Sequence, residues 1–162
     1  MRWIWIDTFT EFVPGRTATA VKNVSLAEEH LHDHFPGYPV MPPSLMIEGM
    51  AQTAGILVGE ARGFEENVIL AKIRRARFDD YCLPRDRIAY QATIESIESA
   101  GAMTSGVVFR NQTEIGRVDL MFSHVDRSAA SLELPEHNFV FTRQFMDLLR
   151  AYRIGGRDDR PD

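Results

Sequence analysis

Two side chains in this sequence are suited to moving protons near neutral pH. His34 is an imidazole, with an unperturbed pKa of about 6.5. Glu48 is the one charged residue between Phe35 and Gly59. Ser44 and Gln52 stand four residues to either side of Glu48, so on a helix all three share a face. A carboxylate isolated among apolar side chains responds to lost hydration with a raised pKa or a dedicated partner. A histidine base and a carboxylic acid kept protonated by burial form a workable acid–base pair. The plainer alternative makes Glu48 and Gln52 the wet edge of a surface helix and His34 an ordinary loop residue. The lack of charge on the other faces of that helix favours the acid–base reading.

The elements around these residues have opposite physics. Residues 35–43 hold four prolines and a glycine, which excludes regular helix and predicts a shaped, extended loop. From Ser44 to about Gly59, apolar residues including Leu45, Met46, Ile47, Met50, Ile56 and Leu57 cover nearly every side of a helix, which predicts burial. Residues 1–12 read as an aromatic lead-in packed on the core. Strands are expected at 16–25, 68–78, 88–97, 107–110 and 115–123, with residues 59–67 as the exit loop from the helix. Pro84-Arg85-Asp86 and Gly101 mark turns between strands. The fold class is therefore α+β, an antiparallel sheet wrapped around one long buried helix.

Bulk properties set outer limits. At 162 residues, 44% apolar and 25% charged, the chain is an ordinary globular protein rather than a disordered or fibrous one. A net charge of −5 argues against a general nucleic-acid binder. A lone cysteine, Cys82, gives no disulfide framework and fits a reducing cytoplasm. No signal peptide and no stretch long enough to span a membrane is expected. His30, His32 and His34 alternate in a way that would face one direction on a strand, but without a further ligand set they read as loop residues rather than a metal site. Lys72, Arg74, Arg75, Arg77, Arg85 and Arg87 form a basic cluster, read first as a solvated face with acidic partners and second as a docking patch. Residues 1–125 form the expected domain. Residues 126–162 are expected to be a linker, a short amphipathic helix capped by Thr142, and a disordered tail. That helix packs on the domain or a neighbouring subunit, with covering of a substrate tunnel as the lesser alternative.

His34-Phe35-Pro36-Gly37, Pro39-Val40-Met41-Pro42 and Ile47-Glu48-Gly49-Met50-Ala51-Gln52 together resemble the active-site segment of the β-hydroxyacyl-acyl-carrier-protein dehydratases, hot-dog-fold enzymes of fatty-acid synthesis. Val13-Pro14-Gly15-Arg16, Arg75-Ala76-Arg77-Phe78, Pro84-Arg85-Asp86 and residues 116–122 resemble the surrounding strands, so the likeness runs over roughly residues 5–124. It implies that His34 takes the proton next to the thioester carbonyl and that Glu48 protonates the departing hydroxyl. A single-base route, with His34 working through an ordered water, stays open. The resemblance further implies that the Val40 carbonyl orients His34 and that Gln52 supports Glu48. It implies no cofactor and no metal, an acyl carrier protein as partner, and a homodimer or trimer of dimers in which His34 of one subunit meets Glu48 of the other.

One position departs from the pattern. Pro43 stands where the family usually has a glycine whose N–H binds the thioester carbonyl, and proline has no N–H. The fold tolerates proline at the first helical position. Ser44 and Leu45 are the expected substitute donors at the helix start. A thioesterase on the same fold, or an acyl-binding module without catalysis, are the alternatives to a dehydratase. The His34-Phe35-Pro36-Gly37 segment weighs against the thioesterase, and the presence of both His34 and Glu48 weighs against the binding module.

Overall fold

The computed structural model describes residues 4–125 together with Val140. The elements run β1 (Thr8–Val13), β2 (Thr17–Asn23), α1 (His30–Asp33), α2 (Pro43–Ala61), β3 (Asn67–Phe78), β4 (Arg87–Ile97), β5 (Gly101–Arg110) and β6 (Thr113–Val125). The strands form a six-stranded sheet in the order β1-β2-β4-β5-β6-β3, and every pairing is antiparallel. The sheet curls around α2, which packs against β2, β3, β4, β5 and β6. This is the expected α+β hot-dog arrangement. The linker, the amphipathic helix and the tail expected after residue 125 lie outside the described residues.

The helix begins where proline chemistry allows it. Pro42 is extended (ψ 131°), as a residue before proline tends to be, and Pro43 fits the first turn because no N–H is needed there. Met46, Met50, Ala54, Leu57 and Val58 are fully or almost fully buried against the sheet. Close approach needs small residues. A Cβ at Gly49 would collide with the Tyr90 ring on β4, and one at Gly106 of β5 would collide with Met50.

Several boundaries differ from expectation for identifiable reasons. Gly59 does not end the helix, because it is buried inside it. The left-handed turn that stops α2 falls instead at Gly63 (φ 63°) and Phe64 (φ 58°), where the Phe64 N–H caps the Gly59 carbonyl at 2.8 Å. The lead-in contains a strand, β1, joined to β2 through Val13-Pro14-Gly15-Arg16. Proline followed by glycine at positive φ (67°) matches a type II turn, closed by Arg16 N–H to Val13 O at 3.0 Å. β5 starts six residues early, at Gly101, although residues 101–106 are small or polar apart from Met103. It lies between β4 and β6, so pairing on both edges overrides weak local preference.

The three histidines do not line a strand. His30–Asp33 is a single helical turn, and the rings diverge. His30 packs edge-on against Trp5 at 5.2 Å, His32 Nε2 meets the Leu26 carbonyl at 3.1 Å, and His34 turns towards Val40.

Candidate active site

The loop ahead of α2 is a closed backbone ring. Phe35 and Tyr38 exchange N–H···O bonds of 2.9 Å in both directions across Gly37, whose φ of 76° suits glycine. The Val40 N–H donates to the His34 carbonyl at 2.7 Å, and the Met41 N–H donates to the Cys82 carbonyl at 2.9 Å. The first contact closes the ring and the second ties it to the segment between β3 and β4. Within the ring, His34 Nδ1 sits 2.7 Å from the Val40 carbonyl oxygen, and the imidazole stacks on Phe35 at a centroid distance of 4.2 Å. A carbonyl can only accept, so Nδ1 carries the hydrogen and the neutral ring keeps its lone pair on Nε2. The ring therefore presents an acceptor nitrogen in a fixed direction.

Glu48 sits on the second turn of α2. Gln52 Nε2 donates to Glu48 Oε1 at 2.9 Å, and Gln52 Oε1 accepts the Trp5 backbone N–H at 2.8 Å. A backbone N–H can only donate, which fixes the amide with its NH₂ towards Glu48. The carboxyl oxygen that accepts from the amide is then Oε1, and Oε2 lies outside this contact. Gln52 is buried (6% exposed). The expectation of a buried Glu48 is met only in part: in the single chain it is half-buried, and it lines a crevice of about 130 Å³ between α2 and the β3–β6 edge.

The helix start carries fewer donors than the sequence suggested. The Leu45 N–H bonds the Pro42 carbonyl at 3.0 Å, and the Met46 N–H shares that oxygen at 3.2 Å. Pro43 has no N–H, so Ser44 supplies the first-turn N–H left without a backbone partner among the described residues. Ser44 is exposed and the dipole of a 19-residue helix lies behind it.

The surrounding titratable groups are packing groups. Burial pushes the Cys82 thiol up to about 12 and the Tyr90 phenol higher still, so both stay neutral. Burial also lowers His30, against an opposing pull from Glu28. Lys22, although buried, pairs with Glu28 at 3.1 Å and lies over the Trp5 ring. In the basic cluster, Arg75 pairs with Asp119 and Arg77 with Asp79, each at 2.7 Å, as the solvated-face reading expects.

Of the residues singled out from sequence, the structure joins His34 to Val40 and Glu48 to Gln52, and sets Pro43 and Ser44 at the helix start. It makes no hydrogen bond or ion pair between His34 and Glu48 within one chain. Trp5 was missed as a site residue. Its contribution is a backbone N–H, which any residue type but proline would offer, so no side-chain pattern marks it.

A sheet curled around one central helix, with a histidine loop feeding into that helix and a carboxylate on it, defines a hot-dog protein of the dehydratase type. The FabA-like domain matches residues 4–117, and the chain belongs to that family. It is similar to a 3-hydroxyacyl-acyl-carrier-protein dehydratase FabZ of Myxococcus xanthus, at 32% identity over 81% of this chain and 88% of the relative. It is likewise similar to the FabZ dehydratase of Pelotomaculum thermopropionicum, at 32% identity over 75% of this chain and 87% of the relative. Among solved structures, a conserved protein of Pseudomonas aeruginosa superposes with a TM-score of 0.61 over 73% of this chain and 87% of its own, at 12% identity, which shows a shared fold.

Proposed function

We propose that this protein is a 3-hydroxyacyl-acyl-carrier-protein dehydratase of fatty-acid synthesis, converting 3-hydroxyacyl thioesters to trans-2-enoyl thioesters. The observation that carries the reading is the directed base: the 2.7 Å contact from Nδ1 to the Val40 carbonyl leaves Nε2 of His34 as the acceptor. His34 Nε2 takes a proton from C2, and the C2–H electrons move to form the C2=C3 double bond. Glu48 Oε2 delivers its proton to the C3 hydroxyl, which leaves as water. The proton held on His34 then returns to Glu48 through solvent, resetting both groups. Negative charge developing on the thioester oxygen is met by the Ser44 N–H and the helix dipole.

The proposed site is completed by two subunits. Within one chain His34 and Glu48 do not bond, and their hydrogen-bonding partners face different neighbours. Among the described residues β3 is a 12-residue edge strand bonded only to β6, with Ile73 44% exposed, which suits pairing with a second copy. A homodimer, alone or as a trimer of dimers, would place His34 of one subunit beside Glu48 of the other. The substrate's carrier is an acyl carrier protein, for which Lys72, Arg74 and Arg85 are candidate contacts. No helix among the described residues is long and apolar enough to cross a membrane.

Subunit complementation tests both parts. His34→Ala and Glu48→Gln are each expected to lose turnover of 3-hydroxyacyl and 2-enoyl thioesters. Unfolding and refolding them together in equal amounts is expected to restore about a quarter of wild-type activity, since about half the dimers are mixed and each has one intact site. Loss in both variants without recovery would place both residues in one subunit. Full activity in either variant would remove that residue from the chemistry.

A further inference from the structure

The pairing of β1 with β2 begins at Thr8, and just ahead of it the Asp7 N–H donates to the Val21 carbonyl at 2.7 Å. Trp5 lies two residues further out. Backbone beyond the last strand pair frays unless a side chain docks it. Yet the Trp5 N–H donates to Gln52 Oε1 at 2.8 Å, and Gln52 Nε2 donates to Glu48 Oε1 at 2.9 Å. Any residue but proline could supply that N–H; keeping it in place falls to the indole. Two groups grip the ring, which packs half-buried on the core. Lys22 Nζ of β2 lies over its face, 5.6 Å from the centroid, and His30 of α1 meets its edge at 5.2 Å. Lys22 is 7% exposed, a costly place for an ammonium without a partner. Glu28 pairs with it at 3.1 Å and itself accepts the Ser25 N–H at 3.0 Å. A buried ion pair adds little stability over apolar residues of similar volume, so this one is better explained by what its cation faces. The ammonium faces the Trp5 ring.

We propose that the Trp5 indole, gripped by Lys22, is a positioning residue for Glu48. The assignment rests on the dehydratase reading for what Glu48 does, and on these contacts alone for how its carboxyl is aimed. The indole itself holds no substrate. It fixes the Trp5 backbone, the backbone fixes the Gln52 amide, and the amide fixes one carboxyl oxygen. When the indole is lost, the carboxyl keeps its chemistry but spends less time aimed at the C3 hydroxyl. The rate of the bound complex then falls while substrate binding stays. Because the route runs through one side chain, Gln52, it carries a signature that a general loss of packing lacks.

The test is a double-mutant cycle with Gln52→Ala in the full-length chain, read as kcat and KM for a 3-hydroxyacyl pantetheine thioester. Trp5→Leu keeps the N–H and the apolar packing. It is expected to lower kcat about tenfold with KM within about twofold, as misplacing one reacting group does. Trp5→Phe returns a ring face to Lys22 and is expected to recover most of that loss. On the Gln52→Ala background, Trp5→Leu is expected to lower kcat by less than about twofold further, because the route is already cut. Equal losses in both backgrounds overturn the proposal, as does Trp5→Leu turnover within about twofold of wild type. Should Trp5→Leu fail to fold, Lys22→Met combined with Glu28→Gln carries the same cycle, since it removes the cation and leaves no buried charge alone. A loss of about threefold that vanishes with Gln52→Ala is then expected. A loss equal in both backgrounds, or no loss, overturns the proposal. If the wild type turns over no thioester, the dehydratase reading has failed, and the aim of the amide is read from the Gln52 side-chain NH₂ resonances. Trp5→Leu is expected to move them towards the position of a free amide; resonances that stay where they are overturn the proposal.

Discussion

The two halves of the site are built by different means. The His34 half is local: the imidazole, the carbonyl that orients it and the ring of bonds that shapes the loop all lie between His34 and Met41, with one anchor to Cys82. The Glu48 half is not. Its carboxyl is held by Gln52 one turn away, and Gln52 is in turn held by the backbone of Trp5, 47 residues earlier in the chain. The direction of the imidazole therefore survives wherever the loop itself folds. The orientation of the carboxyl depends on the N-terminal segment docking on α2. A site assembled this way separates a rigid component from one coupled to tertiary packing.

The largest expected effects come from deleting each half outright. His34→Ala and Glu48→Gln should each lower kcat by about 10²–10⁴, the range for a positioned general base or acid. Glu48→Gln is the sharper of the two, since it keeps the shape of the side chain while removing the acid. If Glu48→Gln retains turnover within about tenfold while His34→Ala does not, the comparison breaks in favour of a single-base route through His34 and water.

The next effect separates the halves. Gln52→Ala leaves the Trp5 N–H and Glu48 Oε1 without their partner, so stability should fall by about 1–3 kcal/mol. Turnover should fall by about tenfold as the carboxyl loses its orientation. The Nδ1–H resonance of His34 should keep its hydrogen-bonded position, because the bond to the Val40 carbonyl does not pass through Gln52. Urea unfolding, steady-state rates and proton NMR of the ring check the three parts. A shift in the His34 resonances would show that the two halves are coupled after all.

What could be read in the sequence follows the same division. The loop and the buried helix are local statements, made by four prolines between residues 35 and 43 and by an apolar run with one charge, and both are found where expected. The partnership of Glu48 with Gln52 follows from helical spacing. The Trp5 contact, the collision that makes Gly49 glycine, and the extension of β5 back to Gly101 all depend on elements distant in sequence meeting in space. Burial of Glu48 was overread because a helix apolar nearly all round looks closed on every side, whereas the sheet leaves a crevice along one of them. Placing His30 and His32 in a loop missed a four-residue helical turn, which sends each ring a different way.

The smallest expected effect probes the helix start, where the two halves meet. Pro43→Gly adds one N–H at the first helical position, next to that of Ser44 and aligned with the dipole. Removing an oxyanion donor elsewhere costs about 10²–10³ in kcat, but here Ser44 already supplies one, so the gain from a second should be smaller, about tenfold. The same change loosens the unfolded chain and should cost about 0.4–1 kcal/mol of stability. The effect belongs in kcat rather than KM, because the added donor meets charge that develops only in the transition state. A rise in kcat with a slightly lower midpoint in urea would show that the helix half is limited by its donors and not by its acid. An unchanged kcat would mean that Ser44 alone satisfies the oxygen, and that the difference between the halves lies wholly in how each proton-transfer group is held.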